Sequence, residues 1–149
     1  MMKTIDIVNS AAKFIQVHTN QSYQESKIEA EEIFMHVLGI NKSKIYTNIT
    51  MSMTKDEHDQ ISHILNKRKS DIPLSYLLEK HLFYKHEFFV NENVLIPRSE
   101  TENIIDQIII QGDKLFTHMK RCNFLDAGCG SGCVGITLAI ERPNWNIFL

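Results

Sequence analysis

Between Phe124 and Ala139 the chain reads FLDAGCGSGCVGITLA, and no other stretch restricts the possible folds as much. An apolar run ends at Asp126, glycines stand at 128, 130 and 132, and a helix-compatible apolar run then continues until shortly before Pro143. The order is strand, tight turn, helix. The residues WNIFL, from Trp145, open a second strand. Together these segments predict the first β-α-β unit of a doubly wound sheet, where ligands bind beyond the carboxyl ends of the strands.

The glycine spacing discriminates between ligands. A dinucleotide fingerprint, G-x-G-x-x-G/A, needs its third glycine one residue later, where this chain has Cys133. A phosphate-binding P-loop needs Gly-Lys-Ser/Thr, which is absent. The tighter D-x-G-x-G-x-G form suits S-adenosylmethionine. Bare backbone turns sharply and lets the nucleoside and amino-acid parts of that ligand come close. The following helix N-terminus offers N–H groups and partial positive charge to its carboxylate. Asp126 can accept from its ammonium group, directly or through water. The candidate cofactor-binding residues are therefore Asp126, Gly128, Cys129, Gly130, Ser131 and Gly132. A glycine turn without a ligand is the competing reading, and the loop does not identify a methyl acceptor.

Composition sets the outer bounds. The 149 residues are 43% apolar, with 16 basic and 18 acidic side chains, which is ordinary for a globular chain with a sizeable core. A net charge of −2 gives no reason to expect bulk binding to nucleic acid or an anionic membrane. No apolar run approaches the roughly 20 residues of a membrane span. The N-terminal MMKTIDIVNSAAKFIQVH alternates in helical register and lacks the apolar block of a signal peptide. Three cysteines, 122, 129 and 133, form no disulfide framework and no metal-ligand pair, which fits a reducing cytoplasm.

Residues 1–72 read as a small helical domain. Ile5, Val8, Ala12 and Ile15 share one helical face. Ser22 with Glu25, and Thr54 with Glu57, fit capping boxes. The first of these opens a helix with Ala30, Ile33, Phe34, Val37 and Leu38 on its apolar stripe and Gly39 as its cap. Lys42 to Ile49 suit a short helix. Ile61, Ile64 and Leu65 form the buried face of the helix after Thr54, whose end, Lys67-Arg68-Lys69, reads as a solvated last turn matched to the helix dipole. Residues 73–97 read as a linker: one or two helical turns opening with Pro73, then a β-hairpin in LFYKHEFFV with Lys85-His86 at its turn. Residues 98–149 begin a third segment. There Ser99 and Glu102 suggest another capping box, Ile104, Ile105, Ile108 and Ile109 form a stripe, and Gly112 ends the helix.

The run PLSYLLEKHLFYKHEFFVNENVLIPRSETE followed by LDAGCGSG resembles the HemK/PrmC family of protein-(glutamine-N5) methyltransferases. The resemblance covers essentially the whole chain in order, and LIPRSETE with LDAGCGSG at this separation is its specific part. Ser99 and Lys85 depart from the family's usual proline and glycine, and neither lies in the cofactor loop. The resemblance implies an α + α/β architecture: a helical substrate-recognition domain, a hairpin linker, and the start of a Rossmann-like class I methyltransferase domain. It implies transfer of a methyl group from S-adenosylmethionine to the glutamine amide in the Gly-Gly-Gln loop of class I peptide chain release factors, in the cytoplasm, with no direct nucleic-acid contact. It also implies an Asn-Pro-Pro-Tyr motif that holds the amide. That motif does not occur in these residues, so no catalytic residue is assigned and the chain is expected to be an inactive N-terminal fragment whose isoleucine stripe is poorly covered. An adenine amino-methyltransferase and a non-enzymatic protein-binding helical module are the alternatives.

Overall fold

The computed structural model describes residues 3–47, 50, 52–116 and 122–149. The elements run α1 (Thr4–His18), α2 (Tyr23–Leu38), α3 (Lys42–Tyr46), α4 (Lys55–Lys69), α5 (Leu74–Leu77), β1 (Lys80–Phe83), β2 (His86–Phe89), α6 (Ser99–Leu115), β3 (Cys122–Leu125), α7 (Cys133–Glu141) and β4 (Trp145–Phe148). They form two compact units, Met1–Leu78 and Glu79–Leu149.

In the first unit, Val8, Ala12 and Ile15 of α1 meet Ala30, Ile33 and Phe34 of α2 and Ile61 and Ile64 of α4. These are the faces that helical periodicity selects. Both expected capping boxes form. Ser22 and Thr54 accept from the amides of Glu25 and Glu57, whose carboxylates accept from the cap amides in return. The expected helix from Lys42 to Ile49 is shorter: α3 ends at Tyr46, where Thr47 turns extended as its C-cap, and residues 48 and 49 lie outside the described residues.

Two polar clusters brace this unit. Arg68 is buried rather than solvated. Its Nε lies 2.7 Å from Glu29 Oε2 and its Nη2 lies 3.1 Å from Oε1, in a two-pronged pair that joins α4 to α2. Lys67 and Lys69 on either side are exposed, as a solvated helix end requires. The sequence pattern of three adjacent cations hides this difference, because only residue 68 points inward. Glu31 is the second buried charge. It is paired with Lys42 at 2.7 Å and hydrogen-bonded by the Tyr46 hydroxyl, which ties α3 to α2.

Residues 73–97 do not form a separate linker. Leu74 of α5 and Leu78 belong to the first core, whereas Phe83 and Phe88 of the hairpin belong to the second. The division therefore falls between 78 and 79. In the hairpin, antiparallel pairing sets Phe83 opposite His86, so the turn is Tyr84-Lys85 and His86 is already in the strand. Tyr84 has φ +60°, a left-handed conformation that a side chain other than Gly rarely adopts. Two bonds hold it there. Its amide donates to Glu102 Oε1 at 2.9 Å, and its hydroxyl donates to Asp106 Oδ1 at 2.8 Å, one helical turn further along α6.

That use of Glu102 corrects the third expected capping box. Arg98 is the cap residue of α6 and makes no side-chain cap bond, and Ser99 already lies within the helix. Gly112 does not end α6 either, since the helix runs on to Leu115. The glycine serves packing instead. A Cβ there would overlap the Trp145 indole. Trp145, Phe83, Phe88, Ile105 and Ile109 form one core with Cys122, Cys133 and Leu138, so the inner half of the isoleucine stripe is covered. Ile104 on the outer side stays half exposed.

β3 and β4 are parallel, in the register Cys122↔Trp145 to Leu125↔Phe148, and α7 connects them. One sheet face carries the core side chains Cys122 and Trp145. The other presents Asn123, Leu125, Asn146 and Phe148 to solvent.

Candidate functional site

The loop between β3 and α7 is built from the end of a strand outward. Parallel pairing continues one residue past β3, where the Asp126 amide donates to Phe148 O at 2.8 Å. The chain then reverses through Gly128, Gly130 and Gly132, with φ of +81°, +57° and +75°. Each of these values is in the left-handed region, where a Cβ adds strain, so the glycines satisfy a backbone requirement. The turn closes when the Gly132 amide donates to Cys129 O at 2.8 Å, and α7 begins at once, with Ile136 N donating to Gly132 O at 2.8 Å.

Space around the three glycines is uneven. A Cβ at Gly128 or Gly130 would meet no atom within 4 Å, whereas one at Gly132 would come within 2.9 Å of Ile136 Cδ1. Gly132 thus faces inward against Ile136, while the other two leave bare backbone facing open space. All six expected site residues fall on this one turn. Asp126, Cys129 and Ser131 are half-buried, Gly128 and Gly130 exposed, and Gly132 buried.

Asp126 carries a further contact that its place in the sequence does not announce. Its Oδ2 accepts from the Gly135 amide at 2.9 Å. Gly132, the cap residue of α7, has no side chain to offer, so Asp126 caps the helix from nine residues upstream. The only sequence signal for Gly135 is a glycine inside a helical run, where it costs stability unless packing requires it.

Below the loop, α7 is secured at its far end. The Arg142 guanidinium grips Asp113 of α6 through Nε at 2.9 Å and Nη2 at 2.6 Å. That hydrogen bonding holds the Asp113 carboxyl below the ordinary carboxylate range and raises the guanidinium. Cys122, buried in the core beneath the sheet, has its thiol pushed up by desolvation and is unsuited to nucleophilic work.

The chain matches the family described as PrmC N-terminal domain over residues 6–78. It is also similar to proteins called release factor glutamine methyltransferase. That of Leptospira interrogans is 33% identical over 124 residues, covering 83% of this chain and 42% of the relative. That of Bacillus cereus is 30% identical over 147 residues, covering 99% and 50%. That of Dictyoglomus turgidum is 38% identical over 125 residues, covering 81% and 41%. The chain thus spans about half the length, or somewhat less, of these curated relatives.

Proposed function

We propose that the β3–α7 loop of this chain, which matches the PrmC N-terminal domain over residues 6–78 and is similar to release factor glutamine methyltransferases over most of its length, is the S-adenosylmethionine site of a Rossmann-like class I methyltransferase domain. The observation that carries this reading is the pair of left-handed glycines, 128 and 130, whose missing side chains leave open space at the carboxyl end of a parallel strand. Asp126, Gly128, Cys129, Gly130, Ser131 and Gly132 would hold the cofactor. When bound, it supplies an electrophilic methyl group on a sulfonium centre.

What the protein's own residues contribute is placement. Asp126 retains one carboxylate oxygen, Oδ1, without a partner among the described residues, and this oxygen suits the ligand's ammonium group. The first-turn amides of α7, at the positive end of the helix dipole, favour a carboxylate. The glycines let backbone approach where side chains would intrude. The acceptor in this reading is the glutamine amide of the Gly-Gly-Gln loop in class I release factors, in the cytoplasm. The helical unit binds the factor away from that glutamine. Its balance of acidic and basic side chains favours a protein partner over nucleic acid.

Calorimetric titration of S-adenosylmethionine, on a chain that also carries the Asn-Pro-Pro-Tyr motif, tests the loop. Binding is expected, and Gly130→Val should abolish it by penalising φ +57°. Equal affinity in the variant would remove the loop from the site. Methyl transfer to a release factor that survives replacement of its Gly-Gly-Gln glutamine would rule out the proposed acceptor.

A further inference from the structure

We infer that Gly135, outside the glycine loop, is a positioning residue of the cofactor site, because its missing side chain lets the Asp126 carboxylate clamp the loop. The inference rests on the S-adenosylmethionine reading for its functional consequence, though the clamp itself does not depend on it.

Asp126 is tied at two points. Its amide bonds to β4 through Phe148 O, and its Oδ2 bonds to α7 through the Gly135 amide. The five residues from Gly128 to Gly132 are spanned by this second bond, so the strand end and the helix start cannot separate without breaking it. A carboxylate bonded to a backbone amide at a helix N-terminus is a strong, charge-assisted arrangement. It also fixes the carboxylate's rotation, which leaves Oδ1 as the oxygen that a ligand can use.

Gly135 makes the approach possible. A Cβ there would lie 3.2 Å from Asp126 Oδ2 and 3.2 Å from Ile147 Cγ2, and would overlap the Leu149 side chain. The Leu149 side chain is exposed and can turn aside. Ile147 Cγ2 is a methyl on the β-carbon of a β4 residue and turns only with χ1, so the carboxylate, a short distance away on the other side, is the group that gives by a few tenths of an ångström. Alanine at 135 therefore has opposed effects. It favours the helix over glycine, yet it dislodges the group that caps that helix. A residue with only a structural role would show a single effect, on folding.

On a chain that also carries the Asn-Pro-Pro-Tyr motif, the test compares the unmodified protein with Asp126→Asn, Asp126→Ala and Gly135→Ala. Amide hydrogen exchange at residues 135 and 136 reads the clamp, and S-adenosylmethionine titration reads the site. Asp126→Asn keeps an accepting oxygen, so protection should stay within about threefold, while affinity falls about tenfold with loss of the charge. Asp126→Ala should lose both protection and affinity, each about tenfold. Gly135→Ala should melt no lower than the unmodified protein but lose amide protection at 135 and about tenfold in affinity. Unchanged protection in Asp126→Ala, or unchanged affinity in Gly135→Ala, would overturn the inference. If the unmodified protein fails to bind S-adenosylmethionine, the cofactor reading fails, and the exchange data still decide the clamp.

Discussion

A methyl group added at Gly112 would overlap the Trp145 indole, which is buried in the second core. Gly112→Ala is therefore expected to cost the second unit about 1–3 kcal/mol by overpacking, after the helix preference for alanine has offset part of the strain. A lower urea midpoint checks it, and an unchanged or raised midpoint would mean that the indole can move. Arg68→Ala tests the opposite kind of site. Removing the guanidinium leaves Glu29 largely buried with only Gln21 as donor among the described residues, so a loss of about 3 kcal/mol is expected in the first unit. Arg68→Lys should recover little, since an ammonium cannot reproduce the two-pronged geometry. Neither role was legible in the sequence. Gly112 stands where a helix cap is plausible, and Arg68 stands between two lysines. Each is decided by which neighbour the fold brings in from more than thirty positions away, and no local pattern carries that information.

At the level of elements, the caps written in the sequence are those that depend on four consecutive residues, and they formed as expected at Ser22 and Thr54. The one that failed, at Ser99, failed because Glu102 had a better partner outside its own helix in the Tyr84 amide. Glu102→Ala should therefore leave α6 intact but free the hairpin turn, seen as faster hydrogen exchange at the Tyr84 amide with little change in α6. The α2–α3 junction responds to acid. Burial raises the affinity of Glu31 for a proton, but the hydrogen bonds from Lys42 and Tyr46 and the charges of Lys42 and Lys27 outweigh it, so its carboxyl lies below the ordinary value. A lowered folded-state value means that this stabilisation is complete above the unfolded carboxylate range, about 4.3, and is lost as pH falls through the folded value. The first unit should weaken as pH drops below about 4.3, and Glu31→Gln should flatten that slope. An equal slope in the variant would place the acid sensitivity elsewhere.

For the molecule as a whole, the glycine loop was readable because tight turns between strand and helix are local, and all six candidate residues fall on one turn. The division of the chain was not readable at the same accuracy. A segment of short elements after Pro73 looks like a connector until its side chains are assigned to cores, and Leu78 and Phe83 turn out to serve different ones. Among the described residues none belongs to both clusters, so residues 1–78 made alone should keep the helical content of α1 to α4, and a chain that is unfolded by circular dichroism would contradict this. The slot at Gly112 has an optical consequence as well. Trp145 is the single tryptophan of the chain, set edge-on to Phe116 with ring centroids 6.4 Å apart. Its emission therefore reports the second unit alone, while far-ultraviolet ellipticity is dominated by the helices of the first. One denaturation series recorded in both channels would resolve two transitions with no label attached, each belonging to a known half of the protein.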